Sequence, residues 1–361
     1  MTARAELATL QLCELLAQAR QRGASDLHLA AGELPTLRVD GSLVRLGCDP
    51  LPADELAHFA ESLLPPPALE RLYERGAADG ALREAQLGTA RIHAFRARGL
   101  MRLAIRLLGR DIPSIEQLGL PAIVSSFAER NAGIVLVAGP TGCGKTTTLA
   151  ALIDRINRSR ERHILTIEDP VEFIHPSIRS LVAQREIDLD VADFGEALRS
   201  ALRSDPDVIL IGELRDAKTM AAALNAAETG HLVFSTLHTG DAAQTIDRIV
   251  DAFGAGVQAE IRAQLAASLV GVIAQRLVPR ASGGGRRAAV EILVATEAVR
   301  ALVRDGKSHQ IRNVIVTGRT SGMQTLETHL SDLVVRRDIT LEAARAVTDR
   351  PSEVRTLAGA V

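Results

Sequence analysis

A mainly parallel α/β fold over residues 122–361, preceded by a smaller α+β domain, is what this 361-residue chain predicts. Three observations carry that prediction. From about residue 122 short apolar runs alternate with helix-like runs, the pattern of parallel strands joined by crossover helices. A glycine-rich segment at 139–146 joins one such strand to one such helix. Before residue 112 the strand-like runs are short and punctuated by turn residues, as hairpins are.

The chain opens with an amphipathic helical pattern carrying Glu14 and Gln18. Leu27-His28-Leu29 and Leu37-Arg38-Val39 then alternate as half-buried strands do, and Asp40-Gly41 is a hairpin turn signal. Leu64-Pro65-Pro66-Pro67 reads as a surface turn. A basic stretch follows on strand-like segments: Arg91, Arg96, Arg98, Arg102, Arg106 and Arg110. Arg110-Asp111-Ile112-Pro113 and Gly119-Leu120-Pro121 look like a connection, so the expected domains are 1–112 and 122–361 with a linker at 113–121. Farther on, Ser282-Gly283-Gly284-Gly285 predicts a hairpin tip, and the residues from about 300 onward read as helical.

The glycine-rich segment is Gly139, Pro140, Thr141, Gly142, Cys143, Gly144, Lys145 and Thr146, with Thr147 at the head of the following helix. This is G-x-x-x-x-G-K-[ST], entered by the strand-like Ile134–Ala138 run, which is the context a phosphate-binding loop requires. Glycines let successive backbone N–H groups turn toward phosphate oxygens, aided by the positive end of the helix. Lys145 is then expected on the β- and γ-phosphates of a nucleoside triphosphate, and the Thr146 hydroxyl on Mg²⁺.

Three later strands end in polar residues, and ligands of open parallel sheets bind beyond strand carboxyl ends. The run His163–Ile167 leads into Glu168-Asp169-Pro170-Val171-Glu172, carboxylates able to orient or deprotonate water. Val208–Ile211 leads to Gly212-Glu213, an acid fit to hold Mg²⁺ or its water beside the loop. His231–Leu237 leads to His238, which, or else Thr236, is placed to sense the γ-phosphate. His231 taken alone reads as a structural histidine. Triphosphatases often take an arginine in trans to neutralise the transferred phosphoryl group, and Arg91 and Arg106 are the first candidates for that finger.

Composition narrows the choices. Apolar residues make up 47% and charged residues 24%, ordinary values for a folded chain. Net charge is −2, with no Trp, one Tyr and seven Phe. A single-strand translocase relies on stacking aromatics and a positive channel, so nucleic acid is not an expected partner. No run approaches a membrane span, and no signal-peptide apolar core opens the chain; the expectation is a cytoplasmic protein. Cys13, Cys48 and Cys143 are isolated, which leaves neither a disulfide framework nor a four-cysteine zinc site.

Taken together, these motifs resemble the secretion and type IV pilus motor ATPases along nearly the whole chain. Ser25–Leu29 with Leu37–Gly41 resembles that family's N-terminal PAS-like signature, and 139–146 its Walker A motif. Ile167–Phe173 resembles its Asp box, Ala197–Glu213 its Walker B region, and Thr229–Thr239 its His box. The resemblance implies a PAS-like domain joined to a RecA-like ATPase domain, ATP and Mg²⁺ as cofactors, and a ring hexamer. It also implies docking on a pilus platform protein at the inner membrane, without insertion. By it Glu213 is the Walker B acid, Glu168 an acid that activates water, and His231 and His238 the box histidines. Ala298–Asp305 resembles a helix motif of the retraction branch, with Ala301 and Asp305 departing from it. Retraction is therefore expected over assembly. An accessory subunit that binds ATP but scarcely turns it over is the other expectation left open.

Overall fold

The computed structural model describes residues 3–39, 41–84, 88–107 and 112–359. The chain divides into two compact units, Met1–Asp111 with Glu172–Ile174, and Ile112–Val171 with His175–Val361.

In the first unit, helix α1 (Ala3–Gln21) precedes strands β1 (Asp26–Ala30), β2 (Thr36–Val39) and β3 (Ser42–Arg45). Helices α2 (Ala53–Leu63) and α3 (Pro66–Arg75) follow, then β4 (Ala77–Glu84), β5 (Gly88–Ala97) and β6 (Leu100–Leu107). The sheet order is β3-β2-β1-β6-β5-β4, with antiparallel pairing throughout. The alternation read in the sequence is real: Leu27, Leu29, Ile92 and Ile105 are buried beneath Leu16, Leu56 and Phe59 of the helices. Val39 pairs with Ser42 around Gly41, whose φ of +85° suits a tight hairpin. Asp40 of that expected turn lies outside the described residues, as does Arg110. The proline run is shorter as a turn than expected, because Pro66 starts α3 with Pro65 as its N-cap. Proline's fixed φ suits a first helical turn as well as it suits a bend.

In the second unit α4 (Ile123–Phe127) leads to β7 (Gly133–Ala138), α5 (Lys145–Ser159), β8 (His163–Glu168) and β9 (Leu181–Glu186). Then come α6 (Phe194–Ala201), β10 (Val208–Ile211), α7 (Ala217–Glu228), β11 (Leu232–Leu237), α8 (Ala242–Asp251) and α9 (Gln258–Ser268). A long hairpin, β12 (Leu269–Pro279) and β13 (Arg286–Val294), precedes α10 (Glu297–Arg304), α11 (Ile311–Thr317), α12 (Leu326–Val335), α13 (Leu341–Arg345) and α14 (Pro351–Gly359). The order is β13-β12-β7-β11-β10-β8-β9, parallel except for the β12–β13 pair. Burial on both faces explains the near-continuous apolar runs of β7, β10 and β11. Gly283, Gly284 and Gly285 form the hairpin tip, all at positive φ. The C-terminal helices pack on that hairpin through Val278, Ala289, Leu330 and Leu333.

One segment differs from its reading as a connection, and α10 adds a polar contact to its apolar face. Within 113–121, expected as a linker, Ile115 and Leu120 are buried with Val124 and Phe127 in the core of the second unit. Prolines and glycines mark the turns there, while the apolar residues between them anchor the segment. In α10, Val299 and Val303 are buried as helical spacing requires. Arg300, pointing off that face, donates to the carbonyls of Ala266 and Ala267 and so caps the last turn of α9.

Candidate functional site

The loop between β7 and α5 is shaped by contacts that exclude a side chain. Gly139 sits at φ +145°, and a Cβ there would lie 2.5 Å from the Gln275 carbonyl oxygen and 2.6 Å from Cys143 Sγ. Gly144 sits at φ +88°, and its Cβ would lie 2.9 Å from Gln275 Nε2. Gln275 is the reason the space is so tight. Buried in β12, it donates from Nε2 to the Cys143 carbonyl at 2.6 Å and accepts from Thr148 Oγ1 at 2.8 Å. It therefore ties the loop to the first turn of α5. A lone amide in an apolar run, Val272-Ile273-Ala274-Gln275, is the signal that marks it in the sequence.

Lys145 opens α5 and turns its ammonium back along the loop, donating to the carbonyls of Gly139 at 2.7 Å and Pro140 at 3.1 Å. Burial lowers its proton affinity, which Cys143 and Glu213 partly restore. The same burial pushes the Cys143 thiol up, against the field of Lys145, so that thiol is a packing group rather than a nucleophile. Thr146 and Thr147 are half-buried in the first turn, and Thr141 and Gly142 are exposed at the tip. Beside the tip, Pro140–Cys143, Arg276, Leu277 and the 346–349 turn line a cleft of about 440 Å³. Arg276 is held there by the carbonyls of Gln275 and Gly240. It is a second residue the sequence reading missed.

Glu213 and His238 converge on the lysine. Both follow the carboxyl ends of strands, β10 and β11, on one side of β7. His238 Nδ1 lies 3.5 Å from Lys145 Nζ, and its Nε2 lies 3.5 Å from Glu213 Oε2. Arg215, also missed in the sequence, contacts the other oxygen of Glu213. Thr236, the alternative sensor, spends its hydroxyl on the Gly212 carbonyl at 2.7 Å and stitches β11 to the end of β10.

Glu168 ends β8, three strands from β7, which at strand spacing is about 14 Å. It is 6% exposed and accepts from Thr166 Oγ1 at 2.7 Å and Gln184 Nε2 at 3.1 Å. Its carboxylate thus belongs to the row of strand ends bearing Glu213. His231 does not join that row. It precedes β11 at the amino end, so the six residues of the strand, about 20 Å, separate it from His238. Its Nδ1 meets the Ala226 carbonyl at 2.9 Å, completing the last turn of α7. Within its own chain His231 therefore lies away from the loop, because parallel strands bring only their carboxyl ends together there.

Arg91 and Arg106 belong to the first unit and face each other directly across β5 and β6. Asp26 pairs with Arg106 at 2.9 Å. No carboxylate among the described residues pairs with the exposed Arg91. Like charges directly opposed on a sheet are unfavourable, so this arrangement leaves a cation presented to solvent without offset. Among the described residues no helix is long and apolar enough to cross a membrane.

A glycine-rich loop, a buried lysine and a row of strand-end acids are an arrangement suited to phosphoryl transfer. The comparisons agree. The model of the type II/IV secretion system protein family matches residues 90–358. The type IV pilus retraction ATPase PilT of Pseudomonas aeruginosa is 44% identical over 336 residues, covering 93% of this chain and 97% of that one. The type IV pilus ATPase PilU of the same organism is 35% identical, over 93% of this chain and 88% of its own. A crystal structure of the pilus retraction motor PilT with bound ADP superimposes with a TM-score of 0.88 at 41% identity, over 95% of this chain and 98% of that one. With its RecA-like ATPase domain and strand-rich α+β domain, the chain belongs to the type II/IV secretion system protein family.

Proposed function

We propose that this protein is a motor ATPase that couples ATP hydrolysis to retraction of a type IV pilus, and hence to twitching motility. It works as a homohexamer in the cytoplasm, docked on a platform protein at the inner-membrane base of the pilus. The observation that carries this reading is the convergence of Lys145, His238 and Glu213 at the mouth of the glycine loop, in a chain 44% identical to a retraction ATPase along nearly its whole length.

Residues 139–147 hold the triphosphate. Lys145 exchanges the Gly139 and Pro140 carbonyls for β- and γ-phosphate oxygens, a stronger, charge-assisted pairing. The Thr146 hydroxyl and the Glu213 carboxylate are hard oxygen donors and fit Mg²⁺. Among the described residues no group of three or more His, Cys, Asp or Glu is placed to hold a metal ion by itself, and Mg²⁺ is commonly held by one or two protein oxygens with substrate phosphates. When bound there, Mg²⁺ neutralises charge on the transferred phosphoryl group. Glu168 orients the attacking water. His238, between lysine and acid, registers the γ-phosphate. Arg91, with Arg106 beside it, completes a neighbouring subunit's site from the PAS-like domain. Loss of phosphate then relaxes the subunit interface, and the resulting domain movement drives the platform.

The deciding experiment is a deletion strain scored for surface pili and twitching. Excess, immobile pili are expected. Bald cells would instead assign the protein to assembly, and normal motility would assign it to an accessory role.

A further inference from the structure

Arg215 is a residue that the site's motifs leave without a role. Its guanidinium contacts Glu213 and lies 3.8 Å from Asp169 Oδ2. The side chain is 63% exposed, so packing does not hold it there. The two carboxylates belong to the ends of neighbouring strands, and the Gly212 N–H bond to the Ile167 carbonyl at 2.8 Å fixes the separation of those ends. Glu213, only 17% exposed, is held on its other side by His238. An ammonium can only donate, so His238 Nδ1, beside Lys145, is the acceptor and Nε2 carries the hydrogen toward Glu213. Lys145, His238, Glu213, Arg215 and Asp169 therefore make an unbroken polar line from the phosphate loop to the end of β8. Glu213, through its hydrogen bond and charge, raises the proton affinity of Arg215, and Asp169 adds to it.

We propose that Arg215 is a positioning residue that holds Glu213 and Asp169 together and offsets their charge, and thereby sets how strongly nucleotide binding depends on the divalent cation. This rests on the nucleotide-binding reading above. Without Arg215, two carboxylates face incoming phosphates with no cation between them. Binding without metal then weakens, and a divalent cation that screens the carboxylates restores more of it. A planar guanidinium suits two acceptors on different strands, whereas an ammonium is a single compact charge.

The test measures binding of a fluorescent ATP analogue to the full-length protein, in Mg²⁺ and in EDTA, and takes the ratio of the two affinities. Arg215→Ala and Arg215→Gln are each expected to raise that ratio about tenfold and to lower kcat with little change in KM. Arg215→Lys is expected to keep the ratio near wild type while kcat stays reduced. Asp169→Asn, which removes one of the two negative charges, is expected to lower the ratio severalfold. A wild-type ratio in a folded Arg215→Ala or Arg215→Gln protein overturns the proposal. Should neither variant fold, an unchanged ratio in Asp169→Asn overturns it. Absence of analogue binding by the wild-type protein would overturn the nucleotide-binding reading itself, and this proposal with it.

Discussion

Lys145 and Glu168 show how far single residues can be assigned. The lysine is confined by the loop it serves, with its ammonium already among oxygen acceptors. Lys145→Ala should abolish turnover and weaken analogue binding together, since charge and position go at once. Glu168 is buried and accepts from Thr166 and Gln184, and Glu168→Gln keeps the shape of the side chain while replacing one carboxylate oxygen with an amide nitrogen. Binding should stay within about twofold while kcat falls by about 10²–10⁴, the usual contribution of a general base. Equal losses in both quantities would exclude Glu168 as the water-orienting acid. At this scale the loop was legible because its glycines and lysine are fixed by backbone geometry. Gln275, Arg276 and Arg215 were not, because each joins groups that lie far apart in the chain: Gln275 with Cys143 and Thr148, Arg276 with Gly240, and Arg215 with Asp169 as well as Glu213.

Elements impose constraints that no residue shows alone. β13 carries Glu291 into the interior, where its Oε1 accepts from Ala242 N–H at the start of α8. Burial raises its pKa from 4.5 to about 7, with the Ala242 hydrogen bond opposing and the Asp241 and Glu327 charges reinforcing that rise. A carboxyl raised in the folded state stabilises fully below its unfolded pKa and loses that contribution as pH rises through the folded value. Glu291 therefore favours folding below about pH 4.5, and this contribution is lost by about pH 7. Glu291→Gln should leave stability nearly unchanged at about pH 4.5 and increase it by a few kcal/mol at about pH 8. Chemical denaturation at the two pH values measures this; a variant destabilised at the higher pH would contradict the sign. The buried histidines act oppositely. Desolvation brings His175 and His329 down to about 4, so their contribution is lost as pH falls from 6.5 through that value. Strand direction, too, belongs to this scale: it separates His231, before β11, from His238 at the carboxyl end of the same strand.

The whole molecule is expected to be catalytic only as an assembly. Arg91 is exposed and has no carboxylate partner among the described residues, while its cross-strand neighbour Arg106 is paired with Asp26. If Arg91 serves a neighbouring loop, subunits carrying Lys145→Ala and subunits carrying Arg91→Ala should each be nearly inactive alone. Mixed, they should regain part of the wild-type rate, because some interfaces would join an intact loop to an intact arginine. Phosphate release from the mixture against each variant alone measures this. Rates that only average would place the arginine's work within its own chain or nowhere. A monomer hydrolysing at the wild-type rate would remove the need for an assembly.

By itself the sequence determined what depends on local geometry. The phosphate loop follows from glycines that alone tolerate its dihedral angles, and the parallel sheet from apolar runs buried on both faces. The first unit's hairpins follow from alternation and turn residues. Only the tertiary structure decided what depends on strand order: that Gln275 locks the loop, that Arg215 joins two acids, and that His238 stands between Lys145 and Glu213. Hydrogen bonds and charges act over a few ångströms, and residues separated by tens or more than a hundred positions come that close only after the sheet has chosen which strands are neighbours.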